Sequence, residues 1–220
     1  MKPARFVEAL REVRCRDTFN PYVDRCPIHD RTDAPASRAK ALRRMLTAAT
    51  RVEVDSIWIG RDLGYRGGRR TGLALTDDVH MGDHAARWDV PISRPTVGNA
   101  VAERTAAVVW SILDRVSEPV FLWNVFPFHP HEPDDPFSNR SHNARERDIG
   151  EQILSELIAL LNPRRLIAIG NNAASSAARI SGGLDVVQVR HPSYGGQSEF
   201  VSQMTDLYTL ATPRAQDRLL

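Results

Sequence analysis

Three short segments put chemically competent side chains directly after apolar runs: Gly60-Arg61-Asp62-Leu63-Gly64, Leu122-Trp123-Asn124 and His191-Pro192-Ser193. An aspartate can hold or deprotonate a water molecule. An asparagine amide carries an acceptor and two donors in one plane, enough to read the edge of a heterocycle. A histidine can donate a hydrogen bond to an oxygen on which negative charge builds. The three types together suit a hydrolysis in which water attacks, the amide recognises the leaving group and the imidazole stabilises it. Each also has a plainer reading: Asp as a cap, Asn as a turn residue, His as a structural side chain.

The elements that must position them follow from periodicity. Apolar, β-like runs at Asp55–Ile59, Val120–Trp123, Leu166–Ile169 and Asp185–Val189 read as strands. Helical spacing covers Ala4–Val13, Ala39–Ala49, Gly98–Val116, Asn143–Leu161, a short stretch ending at Ile180, and Glu199–Leu210. Alternating strands and helices predict an α/β fold, a three-layer α/β/α arrangement with a central four-stranded parallel sheet. The C-terminal ends of such strands converge on one crevice, which would gather Asp62, Asn124 and His191. The 220 residues are expected to form a single domain, with 1–35 as an N-terminal arm. Gly60–Arg70 reads as a glycine-rich loop, 77–97 as irregular, and the Pro- and His-dense stretch from Phe126 to Pro133 as a long functional loop.

Hydrophobic residues make up 42% and charged residues 25%, as in ordinary globular proteins. No apolar stretch approaches the roughly 20 residues of a membrane helix, and Met1-Lys2-Pro3-Ala4-Arg5-Phe6 lacks a signal-peptide core. A cytoplasmic protein without a membrane partner is expected. Net charge is only +2, yet 27 of the 29 basic residues are arginines, Lys2 and Lys40 being the exceptions. Arginine forks phosphate bidentately, and Arg61, Arg66, Arg69 and Arg70 cluster beside the first segment. Two cysteines, Cys15 and Cys26, are too few for a four-cysteine iron–sulfur cluster. They are expected to be inert. The Pro-rich setting of His129, His131 and Glu132 lacks the i, i+4 spacing of a helical zinc site.

In register and without a gap, Gly60, Asp62, Gly68, Gly72 and Leu73 match the first motif of the best-known uracil-DNA glycosylases, and His191-Pro192-Ser193 matches their third. An apolar strand ending in Asn124, and Ser141-His142 before a charged helix start, fall between them in the same order. The chain resembles the uracil-DNA glycosylase superfamily over about 140 residues, from Gly60 to Gly196. The resemblance implies a monofunctional, monomeric enzyme that hydrolyses the N-glycosidic bond of deoxyuridine in DNA and releases free uracil. It implies no cofactor and no metal, water being the nucleophile. Asp62 would act on that water or on the cationic sugar, His191 on uracil O2, and Asn124 on the N3–H and O4 edge.

Departures from the family pattern make this a divergent branch. Gly64 stands where the best-known members have a tyrosine against the thymine methyl, and Leu75 where they have the stacking aromatic. Tyr65 and Phe126 are the candidates for stacking. Gly60 and Arg61 complete the substrate-binding set. Arg66, Arg69, Arg70, Arg190, Pro192, Ser193 and Tyr194 form the DNA-binding set, with Tyr194-Gly195-Gly196 replacing a leucine-bearing wedge. Two other functions remain open: a non-catalytic module binding uracil or abasic DNA, and an unrelated small-molecule hydrolase on the same fold.

Overall fold

The computed structural model describes residues 1–211, so the last nine residues of the expected 1–220 domain lie outside the described residues. In chain order the elements are α1 (Pro3–Glu12), β1 (Thr18–Phe19), α2 (Ala34–Ala49), β2 (Ser56–Asp62), α3 (Gly68–Thr71), α4 (Met81–Arg87) and α5 (Arg104–Leu113). They continue with β3 (Val120–Phe126), β4 (His129–Pro130), α6 (Ala144–Leu161), β5 (Arg165–Ile169), α7 (Asn171–Ile180), β6 (Asp185–Val189) and α8 (Gln197–Leu207). The main sheet has the order β3-β2-β5-β6 with every pairing parallel.

Side chains on a strand alternate between faces, and β2 shows the result. Ile57 and Ile59 pack with Phe6 of α1, Leu42 of α2, Leu154 of α6 and Ala177 of α7. Trp58 between them faces the other way, onto Val109 of α5 and Phe200 of α8. Helices therefore cover both faces, giving the expected three layers around a four-stranded parallel sheet. No helix among the described residues is long and apolar enough to cross a membrane.

Several local expectations change. β2 runs through Asp62, and Gly68–Thr71 makes a helical turn, so the glycine-rich stretch is only partly a loop. The region 77–97 contains α4, with Met81 and His84 buried. The helix expected over Gly98–Val116 is only α5. Its N-terminal part is drawn out by two carboxylates: Asp78 accepts from Val101 N at 3.2 Å and Asp77 from Glu103 N at 2.6 Å. The Phe126–Pro133 stretch is not a free loop. Phe126 to Pro130 are buried, and His129–Pro130 pairs antiparallel with Thr18–Phe19. The His129 ring is tied to the chain itself, its Nδ1 donating to Leu63 O at 2.8 Å. Cys15 is half-buried and Cys26 buried, both as free thiols.

Candidate active site

Gly60 of β2 lies level with Asn124 of β3, and Asp62 level with Phe126. The chain leaving β6 brings His191 to the same end of the sheet. There a cavity of about 530 Å³ opens, lined by Arg61, Asp62, Gly64, Leu75, Arg190, His191, Ser193 and Tyr194 among others. The cavity thus gathers residues from the first and third sequence motifs.

Both oxygens of Asp62 are held. Oδ2 accepts from Arg61 Nε at 2.6 Å, and Oδ1 accepts from His142 Nδ1. A carboxylate cannot donate, so the His142 proton sits on Nδ1. The carboxylate is thus fixed in orientation while its edge remains on the cavity.

His191 is fixed from the other side. Its Nδ1 accepts from Ser193 N at 3.1 Å, and lies 2.7 Å from Ser193 Oγ. A backbone N–H can only donate, so Nδ1 is unprotonated and the neutral ring carries its proton on Nε2. Burial lowers the His191 pKa, and the guanidinium groups of Arg61 and Arg190 lower it further. The result is a neutral imidazole with one N–H free for a ligand.

Asn124 is 1% exposed and does not line the cavity. Its Oδ1 has no hydrogen-bond partner among the described residues. A β-carbon on Gly60 would come within 2.4 Å of that oxygen and 3.1 Å of Leu75 Cδ2. The amide therefore stands behind the Gly60 backbone, with Leu75 beside it. Leaving a buried acceptor unpaired costs about 1–3 kcal/mol, which a ligand N–H could recover.

The remaining expectations divide. Phe126 is 0% exposed and meets Phe128 edge-on, so it cannot stack on a ligand. Tyr65 is outside the cavity lining: its hydroxyl accepts from Arg66 Nε at 2.8 Å, and the Arg66 guanidinium lies over its ring. Arg69 and Arg70, expected to face DNA, are instead buried, being 3% and 6% exposed. The Arg69 guanidinium sits 4.1 Å from the Phe19 ring centroid and 4.8 Å from that of Phe137. Arg70 is paired with Asp78 at 2.7 Å. Desolvation explains the correction: two arginines next to a binding site can be spent on holding its loop. Pro192 is buried, whereas Arg66 and Arg190 are exposed. Tyr194 is 97% exposed on a left-handed backbone with φ 51°.

Glu103, Asn139, Arg140, Asn171 and Asn172 also line the cavity. None sits at the end of an apolar run except the two asparagines after Gly170, so the sequence signals used for the motifs pass over them. Residues 39–208 match the Uracil DNA glycosylase superfamily. The chain belongs to the uracil-DNA glycosylase superfamily. The superfamily fold is also seen in the crystal structure of wild-type SMUG2 from Pedobacter heparinus, with 12% sequence identity and a TM-score of 0.62. That similarity covers 95% of this chain and 98% of the other. No curated protein sequence matches this one.

Proposed function

We propose that this member of the superfamily is a monofunctional uracil-DNA glycosylase. The observation that carries the reading is the pairing, across one cavity, of an oriented carboxylate with a neutral imidazole N–H, Asp62 with His191. In the reaction the C1′–N1 bond breaks and its electron pair leaves with the base. Water oxygen bonds to C1′, and a water proton passes to the Asp62 carboxylate and on to solvent. The His191 Nε2–H donates to uracil O2 as charge gathers there, an electrostatic contribution that needs no proton transfer. Asn124 offers the N3–H and O4 edge its amide, with Leu75 the side chain that must give way. The target base has to leave the helical stack to enter such a cavity, and exposed Arg66, Arg190 and Tyr194 are the groups available to DNA at its mouth.

The only two lysines, Lys2 and Lys40, lie on or beside α1 and α2 and do not line the cavity. A Schiff base with the sugar therefore has no lysine to form on, which supports base removal without strand cleavage. The test is incubation of the purified protein with a uracil-containing oligonucleotide, followed by alkali. Alkali-dependent strand cleavage at the uracil is expected. Strands left intact after prolonged incubation, single- and double-stranded alike, would overturn the reading.

A further inference from the structure

A second cavity, of about 260 Å³, opens where α6 begins beside α7. Ser141, His142, Ala144 and Arg147 line it from the start of α6, and Ser175 and Arg179 from α7. Asp62 lines only the first cavity and His142 only the second, so the imidazole stands between them. The His142 side chain is 9% exposed. Its Nδ1–H donates to Asp62, so in the neutral ring Nε2 carries a lone pair. Nε2 has no hydrogen-bond partner among the described residues, and the second cavity is what it faces.

Both charged residues that line this cavity among the described residues are arginines. Arg179 holds Glu151 through Nε and Nη2, and Nη2 also donates to Ser176 Oγ at 3.0 Å. Arg147 holds Asp148 through Nε and Nη2, with Glu151 3.8 Å from its Nε. Neither carboxylate lines the cavity. Each guanidinium keeps Nη1 without a partner among the described residues. The N–H groups of Ala144 and Arg145, in the first turn of the 18-residue α6, have no helical carbonyl to donate to.

Guanidinium groups and helix N–H groups together select an oxyanion. The His142 lone pair adds a requirement: the ligand should bring a proton. Inorganic phosphate and phosphate monoesters keep a P–O–H group until their second ionisation, at about pH 6 for the monoester. The phosphodiester of a nucleic-acid backbone has none. We propose that the second cavity is a phosphate site, taking inorganic phosphate or a terminal phosphate monoester, that acts on Asp62 through His142. In the complex one proton is shared between a phosphate oxygen and Nε2. The ring becomes more cationic, its Nδ1–H draws harder on the Asp62 carboxylate, and the carboxylate becomes a weaker base. The effect on Asp62 rests on the glycosylase reading above; the binding does not.

The experiment follows the His142 ring by ¹⁵N NMR in the full chain at one pH and constant ionic strength, the signal being assigned by its loss in His142→Gln. Three probes are titrated: inorganic phosphate, methyl phosphate for a phosphate end, and dimethyl phosphate for a backbone link. Inorganic phosphate should shift the ring saturably, and dimethyl phosphate should not. A matching shift from methyl phosphate shows the cavity open to a phosphate end; its absence assigns the site to the free ion. Arg147→Gln and Arg179→Gln should each weaken phosphate about tenfold, the value of one charge-assisted hydrogen bond. The wild-type series decides the matter by itself should a variant not fold. Saturating phosphate should also slow single-turnover uracil excision. A ring that phosphate does not move, a diester that moves it equally, or unchanged affinity in both arginine variants overturns the site. Excision indifferent to bound phosphate overturns the link to Asp62. Absence of excision under every condition overturns the glycosylase reading and leaves the phosphate site standing.

Discussion

Asp62 is a carboxylate whose two oxygens are both engaged, by Arg61 and by His142, while its edge stays on the cavity. That arrangement makes it directional. An acid held this way works on a water at a fixed position, and replacing it by the isosteric amide keeps the shape but removes the charge. Asp62→Asn should therefore lower single-turnover uracil excision by roughly 10²–10⁴-fold, the usual worth of a general base, without weakening DNA binding. Excision at the wild-type rate in that variant would remove Asp62 from the mechanism. Asp62 and His191 were legible in the sequence because each ends or follows an apolar run, where the sheet rule places ligand-binding side chains. Glu103 was not legible. It stands among surface-type residues, and only the fold shows that Gly64 and Gly67 clear a space for its carboxyl.

At the scale of elements, the four strands of the main sheet stand out because buried parallel strands read as continuous apolar runs. The stretch between β2 and α5 reads poorly for the opposite reason. It is organised by side chains rather than by periodicity. Asp77 and Asp78 bind the backbone of Val101 and Glu103, Arg70 pairs with Asp78, and Arg38 pairs with Asp30 out of water. A sequence shows that arginines are clustered, but not which of them have partners. The two kinds of arginine should separate experimentally. Arg70→Ala leaves Asp78 buried and uncompensated and should cost about 3–5 kcal/mol of stability. The exposed pair should behave differently: Arg66→Ala with Arg190→Ala should leave stability nearly unchanged. Each phosphate that these arginines neutralise in the wild type, and that the double variant leaves bare, should lower the slope of log affinity against log salt by about 0.9 for duplex DNA. A salt series combined with urea denaturation measures both. An unchanged slope in the double variant would take these arginines off the DNA.

For the whole molecule, buried neutral imidazoles contribute to the response to acid. Burial lowers the pKa of His84 from 6.5 to about 3 and that of His129 from 6.5 to about 4. The folded chain refuses protons that the unfolded chain accepts. The stability these groups contribute is complete above about pH 6.5 and is lost as pH falls toward their folded values. At pH 5 the loss should be on the order of 1–2 kcal/mol for each imidazole. Urea midpoints should accordingly fall between pH 7 and pH 5. Glu103, whose pKa is raised to about 7 by burial, gains stability over the same interval, so the Glu103→Gln variant is measured beside the wild type. A midpoint that stays flat in that variant would show that the two imidazoles are not held neutral.

The sheet order has a further consequence, for the order in which the machinery is lost. β2, with Asp62, is paired on both sides, whereas β6 is an edge strand paired only with β5 and mostly incompletely buried. Edge elements open locally at lower free energy than the centre of a sheet. The imidazole therefore hangs on the most easily frayed strand and the carboxylate on the best anchored one. As denaturant rises, base excision should vanish before the far-ultraviolet circular dichroism changes, because a nearly intact fold will already have let go of His191. Coincident loss of the two signals would mean that β6 melts only with the rest.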